Sequence, residues 1–142
     1  MMFSTKGRYA LRFMIDLAQH RNGSYIPLKE IAERQDISIK YLERIALALT
    51  QASYIESSHG RSGGYRLSRD PEEYTVLEIL ETMEGDIAPI SCLECNADPC
   101  SRAAECMTLD MWKGFYKMTR EYFGSIRLSD LAKTSQWQDY VI

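Results

Sequence analysis

The chain has 142 residues, a hydrophobic content of 45%, a charged content of 26% and a formal net charge of −3. These values suit one folded domain with an extension, and they argue against a disordered or collagen-like chain. No apolar run reaches the roughly 18 residues that a membrane span needs, and the N-terminus lacks the apolar stretch of a signal peptide. We therefore expect a cytoplasmic protein with no membrane association.

The charge is distributed unevenly along the chain. Residues 1–70 contain eleven Lys and Arg against seven Asp and Glu, a net charge of +4. Residues 71–142 contain six against thirteen, a net charge of −7, together with all four cysteines. A basic half indicates a polyanionic partner such as nucleic acid, and the alternative is scattered, solvated surface charge.

Three helices are predicted in the first third of the chain. Residues 5–20 place apolar side chains at helical spacing. A short second helix is predicted over 28–35 and a third over 39–52, with a break between them. Ser38 is a suitable N-cap for the third helix, because its hydroxyl can accept a hydrogen bond from an amide of the first turn.

The second and third helices form a helix-turn-helix pattern, for which a plain three-helix core is the alternative. The buried stripe predicted for the third helix is Leu42, Ile45, Ala46 and Leu49. The same spacing leaves four side chains near the exposed N-terminal end of this helix, namely Lys40, Tyr41, Glu43 and Arg44. This end is the part of such a helix that enters the major groove.

The next segment predicts a β-hairpin wing. Strands are expected at 54–57 and 65–67, and Tyr25-Ile26 is a candidate short strand. The connection between the two main strands contains three glycines and carries His59 and Arg61, which are suited to a phosphate or a minor groove. A nucleotide-binding loop is the alternative, but the Gly-Lys-Ser/Thr sequence of such loops is absent.

The second half begins with a capping box, Thr75 and Glu78, and a helix that ends at Gly85. Residues 86–106 show no clear period. A long helix follows from about 107, and a short one near 129–133. The predicted apolar stripe of the long helix is Leu109, Trp112, Tyr116, Thr119, Phe123 and Ile126, widened by Met111, Phe115 and Tyr122. So wide a stripe favours a dimer helix over a helix folded only on its own core.

Four cysteines, Cys92, Cys95, Cys100 and Cys106, lie within fifteen residues with the spacing C-x2-C-x4-C-x5-C. Clustered thiols in a cytosolic chain indicate metal or redox chemistry. Their staggered spacing favours an iron–sulfur cluster, 2Fe-2S or 4Fe-4S, over zinc, whose usual sites contain two close cysteine pairs. A thiol or disulfide switch, a zinc site and inert thiols remain alternatives.

The motifs together resemble the Rrf2 family of bacterial winged-helix transcription regulators over roughly residues 1–133. The stretches that carry the resemblance are Lys6-Gly7-Arg8-Tyr9-Ala10-Leu11-Arg12, Ser38-Ile39-Lys40-Tyr41-Leu42-Glu43, Gly63-Gly64-Tyr65-Arg66-Leu67 and the cysteine loop. The resemblance implies a homodimer that binds a pseudo-palindromic double-stranded DNA operator and buries the long helix between its subunits.

The resemblance also assigns the cysteines and exposes two departures from the family pattern. The family's cluster cysteines correspond to Cys92, Cys100 and Cys106, whereas Cys95 is additional and is a candidate fourth ligand. Purified protein can lack such a cluster. The family wing shows Arg-Gly-x-x-Gly-Gly-Tyr, and here His59 occupies the first position, so Arg61 is the candidate that supplies the cation.

We therefore predict a mainly α fold with a small β-hairpin wing. Its parts are a winged helix-turn-helix DNA-binding domain (1–85), a cysteine-bearing sensor loop (86–106), a dimerisation helix with a short terminal helix (107–133) and a tail (134–142). The candidate DNA-binding residues are Lys6, Arg8, Ser38, Lys40, Tyr41, Arg44, His59 and Arg61.

The predicted function is a sequence-specific, homodimeric transcription regulator whose DNA affinity is switched by an iron–sulfur cluster on the four-cysteine loop. The alternatives are a metal-free or zinc-binding thiol sensor and a small iron–sulfur redox protein. An enzyme is not expected, because neither a Ser-His-Asp set nor a nucleotide motif is present.

Overall fold

The computed structural model describes residues 3–94, 98 and 100–133. In chain order, the described elements are α1 (Thr5–Gln19), α2 (Leu28–Gln35), α3 (Ile39–Gln51), β1 (Ile55–Ser58), β2 (Gly64–Leu67), α4 (Val76–Glu84), α5 (Leu109–Ser125) and α6 (Leu128–Ala132). This arrangement confirms the predicted fold class, mainly helical with one antiparallel hairpin. Among the described helices, none is long and apolar enough to cross a bilayer.

The helix-turn-helix pair forms where its local sequence signals place it. Asp36 takes a left-handed conformation (φ 53°) and ends α2, and Ser38 begins α3. The Ser38 Oγ accepts a hydrogen bond of 3.2 Å from the Tyr41 amide, as the N-cap prediction requires. The predicted stripe of α3, which comprises Leu42, Ile45, Ala46 and Leu49, is buried.

The core lies where α1, α3 and α4 meet the inner side of the hairpin. Its largest fully buried apolar side chains are Phe13, Met14, Leu17, Ile31, Leu42, Ile45, Leu49, Tyr74, Ile79 and Leu128. Leu128 belongs to α6, so this short helix packs back against α1 and joins the core formed by the first half of the chain.

One charged group is buried together with this core. Asp16 of α1 is fully buried and accepts two hydrogen bonds from Arg34 of α2, at 2.7 and 3.0 Å, and one from Gln35 at 2.9 Å. Hydrogen bonding to Asp16 raises the pKa of Arg34. Since buried carboxylates need such partners, the cluster fixes α2 against α1.

The hairpin pairs Ile55 with Leu67 and Ser58 with Gly64. Beside β2, the candidate strand at Tyr25-Ile26 is reduced to a single bridge, in which Ile26 and Tyr65 exchange N–H···O bonds of 2.8 and 2.9 Å. A Cβ on Gly64, whose φ is +152°, would lie 2.2 Å from the Ile26 carbonyl oxygen. Glycine at this position is therefore what allows the two backbones to approach.

The second half confirms the capping box of Thr75 and Glu78 and the end of α4 at Gly85. Two 3₁₀ turns, Ser91–Leu93 and Ala103–Glu105, lie in the cysteine-bearing segment. The division of the chain at residues 85 and 106 stays a prediction, and the tail at 134–142 lies outside the described residues.

Candidate nucleic-acid interface and cysteine segment

The outward face of α3 carries most of the candidate base-reading residues. Lys40, Glu43 and Arg44 are exposed, and so is the N-cap Ser38. Leu47, one turn beyond Glu43, is 60% exposed, although it is apolar. Sequence reasoning missed Leu47; the signal is its position four residues after Glu43 on the face opposite the buried stripe.

Tyr41 differs from its neighbours, because its side chain is half-buried. Its ring packs edge-to-face on Tyr9 of α1, with 5.6 Å between ring centroids. The Arg12 guanidinium lies 5.1 Å from the Tyr9 ring and donates a hydrogen bond of 3.1 Å to Gln35. Tyr41 therefore supports the front of α3 on α1, a contact between residues 32 positions apart that the sequence pattern did not indicate.

The wing lies beside the outward face of α3. An open cleft of about 340 Å³ separates the two, and its lining includes Leu28 of α2, Glu43 of α3 and His59 of the wing. Arg61 is exposed at the wing tip. The structure thus brings His59 close to the α3 front, as a winged helix-turn-helix requires.

The first turn of α1 lies on the same side. Lys6 and Arg8 are exposed there, within one turn of Tyr9, whose ring contacts Tyr41. The Arg8 guanidinium donates a hydrogen bond of 3.2 Å to the Thr5 hydroxyl. The start of α1 and the front of α3 are therefore neighbours.

Some of the basic side chains are paired with carboxylates, whereas others have no such partner among the residues that the structure describes. Arg34 is paired with Asp16, and Arg66 is paired with Glu56 at 2.9 Å, a hydrogen bond that raises the pKa of Arg66. In the part of the chain that the structure describes, five cations on this side have no ion-pair partner, namely Lys6, Arg8, Lys40, Arg44 and Arg61. Their charges are free to neutralise phosphates.

The described cysteines are free thiols in an accessible segment. Cys92 is half-buried, whereas Cys100 and Cys106 are exposed. Cys95 lies outside the described residues. Within the described residues, no three Cys, His, Asp or Glu side chains are gathered as metal ligands.

Cys106 has an environment that favours the thiolate. Its Sγ lies 3.6 Å from the Thr108 hydroxyl, and hydrogen bonding to Thr108 lowers the pKa of Cys106. A thiolate is both the nucleophile and the metal-binding form of cysteine. The donor chemistry of the segment therefore suits a soft metal or a redox reaction.

The predicted stripe of α5 divides into two faces. Trp112, Tyr116 and Phe123 are half-buried, and α5 packs against α4. A second row of apolar side chains is exposed on the described surface, namely Met111, Phe115, Met118 and Tyr122. The spacing of this row, four, three and four residues, is that of the a and d positions of a coiled coil.

A helix-turn-helix, a wing directly after it and exposed cations on α1, α3 and the wing, without ion-pair partners in the described part of the chain, define a winged helix-turn-helix protein of the DNA-binding class. The Rrf2 family model, described as an iron-dependent transcriptional regulator, matches residues 3–134, and the chain belongs to this family. The chain is thus a DNA-binding transcription regulator, and the resemblance found in the motifs is confirmed.

Individual relatives agree with this assignment. "Protein rrf2" of Nitratidesulfovibrio vulgaris is 35% identical over 133 residues, which cover 94% of this chain and 88% of the relative. The solved structure of CymR (YrzC), the global cysteine regulator of B. subtilis, has a TM-score of 0.78 at 33% identity, covering 95% of this chain and 98% of that one. That of T. potens IscR has a TM-score of 0.74 at 34% identity, covering 95% and 88%.

Proposed function

We propose that the chain is a cytoplasmic regulator that binds a pseudo-palindromic DNA operator as a homodimer, with an affinity set by the state of the cysteine-bearing segment. One observation carries the DNA-binding part: α1, α3 and the wing each expose cations that have no ion-pair partner within the described residues. We propose residues 1–85 as the unit that binds DNA, 86–106 as the sensor, and 107–133 as the unit that carries the dimer helix.

The front of α3 supplies sequence readout in this proposal. Lys40 and Arg44 are suited to guanine O6 and N7 or to phosphate, and Glu43 to cytosine N4. The Ser38 hydroxyl oxygen is occupied by the helix cap, but its proton remains available to a phosphate oxygen. Tyr41 contributes mainly by supporting α3.

The remaining candidates contact the DNA backbone and set the register of the protein. Lys6 and Arg8 act from α1, and His59 and Arg61 act from the wing tip. Histidine is only partly charged near neutral pH, so Arg61 supplies most of the positive charge of the wing. Such contacts carry no sequence information but provide much of the affinity.

The exposed stripe of α5 supports the homodimer. The exposed row would pack against the same row of a second copy of the chain; it comprises Met111, Phe115, Met118 and Tyr122. Gly114 lies beside this row, with open space where a Cβ would stand, so a partner helix can approach closely. Two copies would read half-sites about 34 Å apart.

The donor set of the sensor segment fits an iron–sulfur cluster, in agreement with the iron dependence in the family description. Cys92, Cys100 and Cys106 would hold it, with Cys95 as the candidate fourth ligand. A bound cluster supplies a bridge between thiolates that oxidation or iron shortage removes. Since the segment joins α4 to α5, holding or freeing it changes the balance between two arrangements of the dimer.

A metal-free thiol sensor is a second candidate, which the lowered pKa and the exposure of Cys106 favour. Absorbance in the visible range separates the two candidates, since a cluster is coloured and both thiols and zinc sites are not. Iron, sulfide and zinc analysis of anaerobically purified protein completes the distinction.

The DNA-binding part is tested with Arg61→Ala and with Lys113→Ala, which removes an equal charge from the exposed surface of α5. We expect Arg61→Ala to weaken binding to a selected operator and to random duplex by a similar factor, and to reduce the slope of log K against log salt by about one. Unchanged affinity of Arg61→Ala at low salt would contradict the wing assignment.

The switch is tested with anaerobically reconstituted protein and with Cys106→Ala, using a duplex selected from a random library. We expect the two proteins to differ in operator affinity and the difference to vanish after the metal is removed with a chelator. Equal affinities before and after removal would rule out the switch without affecting the assignment of DNA binding.

A further inference from the structure

The N-terminal end of α1 is held by the C-terminal end of α4. The Oε1 of Glu84, the last residue of α4, accepts hydrogen bonds from the Ser4 amide and from the Ser4 hydroxyl, both at 2.8 Å. Ser4 is the N-cap of α1, and its Oγ also accepts a hydrogen bond from the Gly7 amide at 3.4 Å. We call Glu84, Ser4 and Gly7 the Glu84 clamp.

The presence of glycine at position 7 is a second observation that supports a role for the clamp. A glycine inside a helix costs about 1 kcal/mol relative to alanine. A Cβ on Gly7 would lie 2.2 Å from Glu84 Oε1 and 3.0 Å from Glu84 Cδ. The glycine therefore leaves the space that the carboxylate occupies, and alanine would displace that carboxylate while favouring the helix.

The clamp also links the DNA-binding side to α5. Lys6 and Arg8 flank Gly7 and are exposed. The Phe3 ring packs edge-to-face on Phe123 of α5, with centroids 5.5 Å apart. The Tyr116 hydroxyl of α5 donates a hydrogen bond of 2.8 Å to Asp86, two residues beyond Glu84.

We propose that Glu84 is a positioning residue for DNA binding, which holds the first turn of α1 so that Lys6 and Arg8 reach the DNA backbone. The inference rests on the proposed function, in which these two residues contact phosphates. A carboxylate close to DNA opposes binding by charge alone. Removing it therefore strengthens binding if its role is only electrostatic, and weakens binding if it positions the turn.

Three variants of the full chain separate these roles. Glu84→Ala removes the acceptor and the charge, and Glu84→Gln removes the same charge but keeps an acceptor oxygen. Gly7→Ala keeps the charge and displaces the carboxylate. The Kd for a fluorescent duplex, selected with the wild type from a random library, is measured by anisotropy at several KCl concentrations, and Tm is measured in parallel.

We expect Glu84→Ala and Gly7→Ala to weaken binding roughly threefold to tenfold and to flatten the salt dependence by about one phosphate contact. Glu84→Gln should bind at least as tightly as the wild type. Gly7→Ala should keep or raise Tm, since alanine is the better helix former, so its loss of affinity cannot come from unfolding.

Wild-type or tighter binding by Glu84→Ala, or wild-type binding by Gly7→Ala, would overturn the inference. So would Lys6→Ala and Arg8→Ala losing as much affinity in the Glu84→Ala background as in the wild type, because a displaced turn leaves those contacts little to lose. Failure of the wild type itself to bind any duplex is a different result, which contradicts the proposed function regardless of Glu84.

Discussion

The Tyr74 hydroxyl forms hydrogen bonds with the backbone at both ends of the wing. The side chain is fully buried, its O–H donates a hydrogen bond of 2.6 Å to the Tyr54 carbonyl before β1, and it accepts one of 3.0 Å from the Arg69 amide after β2. The base of the wing is therefore fixed even though its tip is exposed.

Tyr74→Phe should lower the free energy of unfolding by about 1–3 kcal/mol, because it removes both hydrogen bonds of the hydroxyl and leaves the Arg69 amide without its acceptor. Burial raises the pKa of Tyr74. Above about pH 10 the unfolded chain loses this proton while the folded chain keeps it, so wild-type stability falls and the gap between wild type and Tyr74→Phe narrows.

Urea unfolding of both proteins at pH 7 and near pH 10.5 measures this gap. Tyr25→Phe is the control, since the Tyr25 hydroxyl makes no hydrogen bond within the described residues and its loss should change little. A gap that is constant or widens with pH would contradict the role assigned to the buried hydroxyl.

Cys106 owes its low pKa mainly to the hydrogen bond with Thr108. The thiolate is the form that iodoacetamide attacks, so the midpoint of the alkylation rate against pH should lie below the value of about 8.5 for an ordinary thiol. Thr108→Val should move this midpoint to higher pH. Mass spectrometry of metal-free protein follows Cys106 alone, with Thr119→Val as control, and equal midpoints in both variants would contradict the assignment.

At the scale of single elements, Ile26 lies so close to β2 that the wing has no room for a Cβ at position 64. Gly64→Ala should push the Ile26 carbonyl away and break the pair of hydrogen bonds with Tyr65, at a cost of about 1–3 kcal/mol in unfolding free energy. DNA binding should weaken as well, because β2 leads directly from the wing tip. Ser62→Ala, at the exposed tip, is the control in urea unfolding and in DNA titration, and equal behaviour of the two variants would refute the argument.

The elements that the sequence predicted are those specified by local signals. The Ser38 cap, the capping box of Thr75 and Glu78, and the glycines of the wing each act within a few residues, and each helix was placed within two residues or so of its observed bounds. The short strand at Tyr25-Ile26 was reduced to one bridge, because only Ile26 reaches the backbone of Tyr65.

The features that the sequence did not predict depend on distant contacts. Tyr41 has the spacing of an exposed residue, and only the position of Tyr9 shows that its ring is half-buried. Glu84 accepts a hydrogen bond from the Ser4 amide, 80 positions earlier in the chain, and no periodic pattern of the sequence indicates this contact. The wide apolar stripe of α5 did not reveal which of its side chains pack on α4 and which stay exposed, because both rows are apolar.

At the scale of the molecule, charge and shape assign the two ends different tasks. Exposed basic side chains without ion-pair partners among the described residues are present on α1, α3 and the wing, whereas the second half of the chain has a net charge of −7. The acidic half would be repelled by DNA, so the orientation on a duplex is fixed by charge before any base is read. The exposed apolar row of α5 then remains for a second copy of the chain.

Met118 is the sharpest test of that pairing, since it lies at the centre of the row and is 69% exposed. Met118→Asp should give a folded monomer, because a carboxylate sealed between two apolar helices costs several kcal/mol and the side chain is outside the core. Lys113→Asp introduces the same charge on the opposite side of α5 and should leave the dimer intact. Light scattering over a range of protein concentrations measures the mass of the assembly. Binding to operators with one or two half-sites tests the effect on DNA binding, because Met118→Asp should lose the preference for operators with two half-sites. A dimeric Met118→Asp that keeps this preference would place the interface elsewhere on the chain.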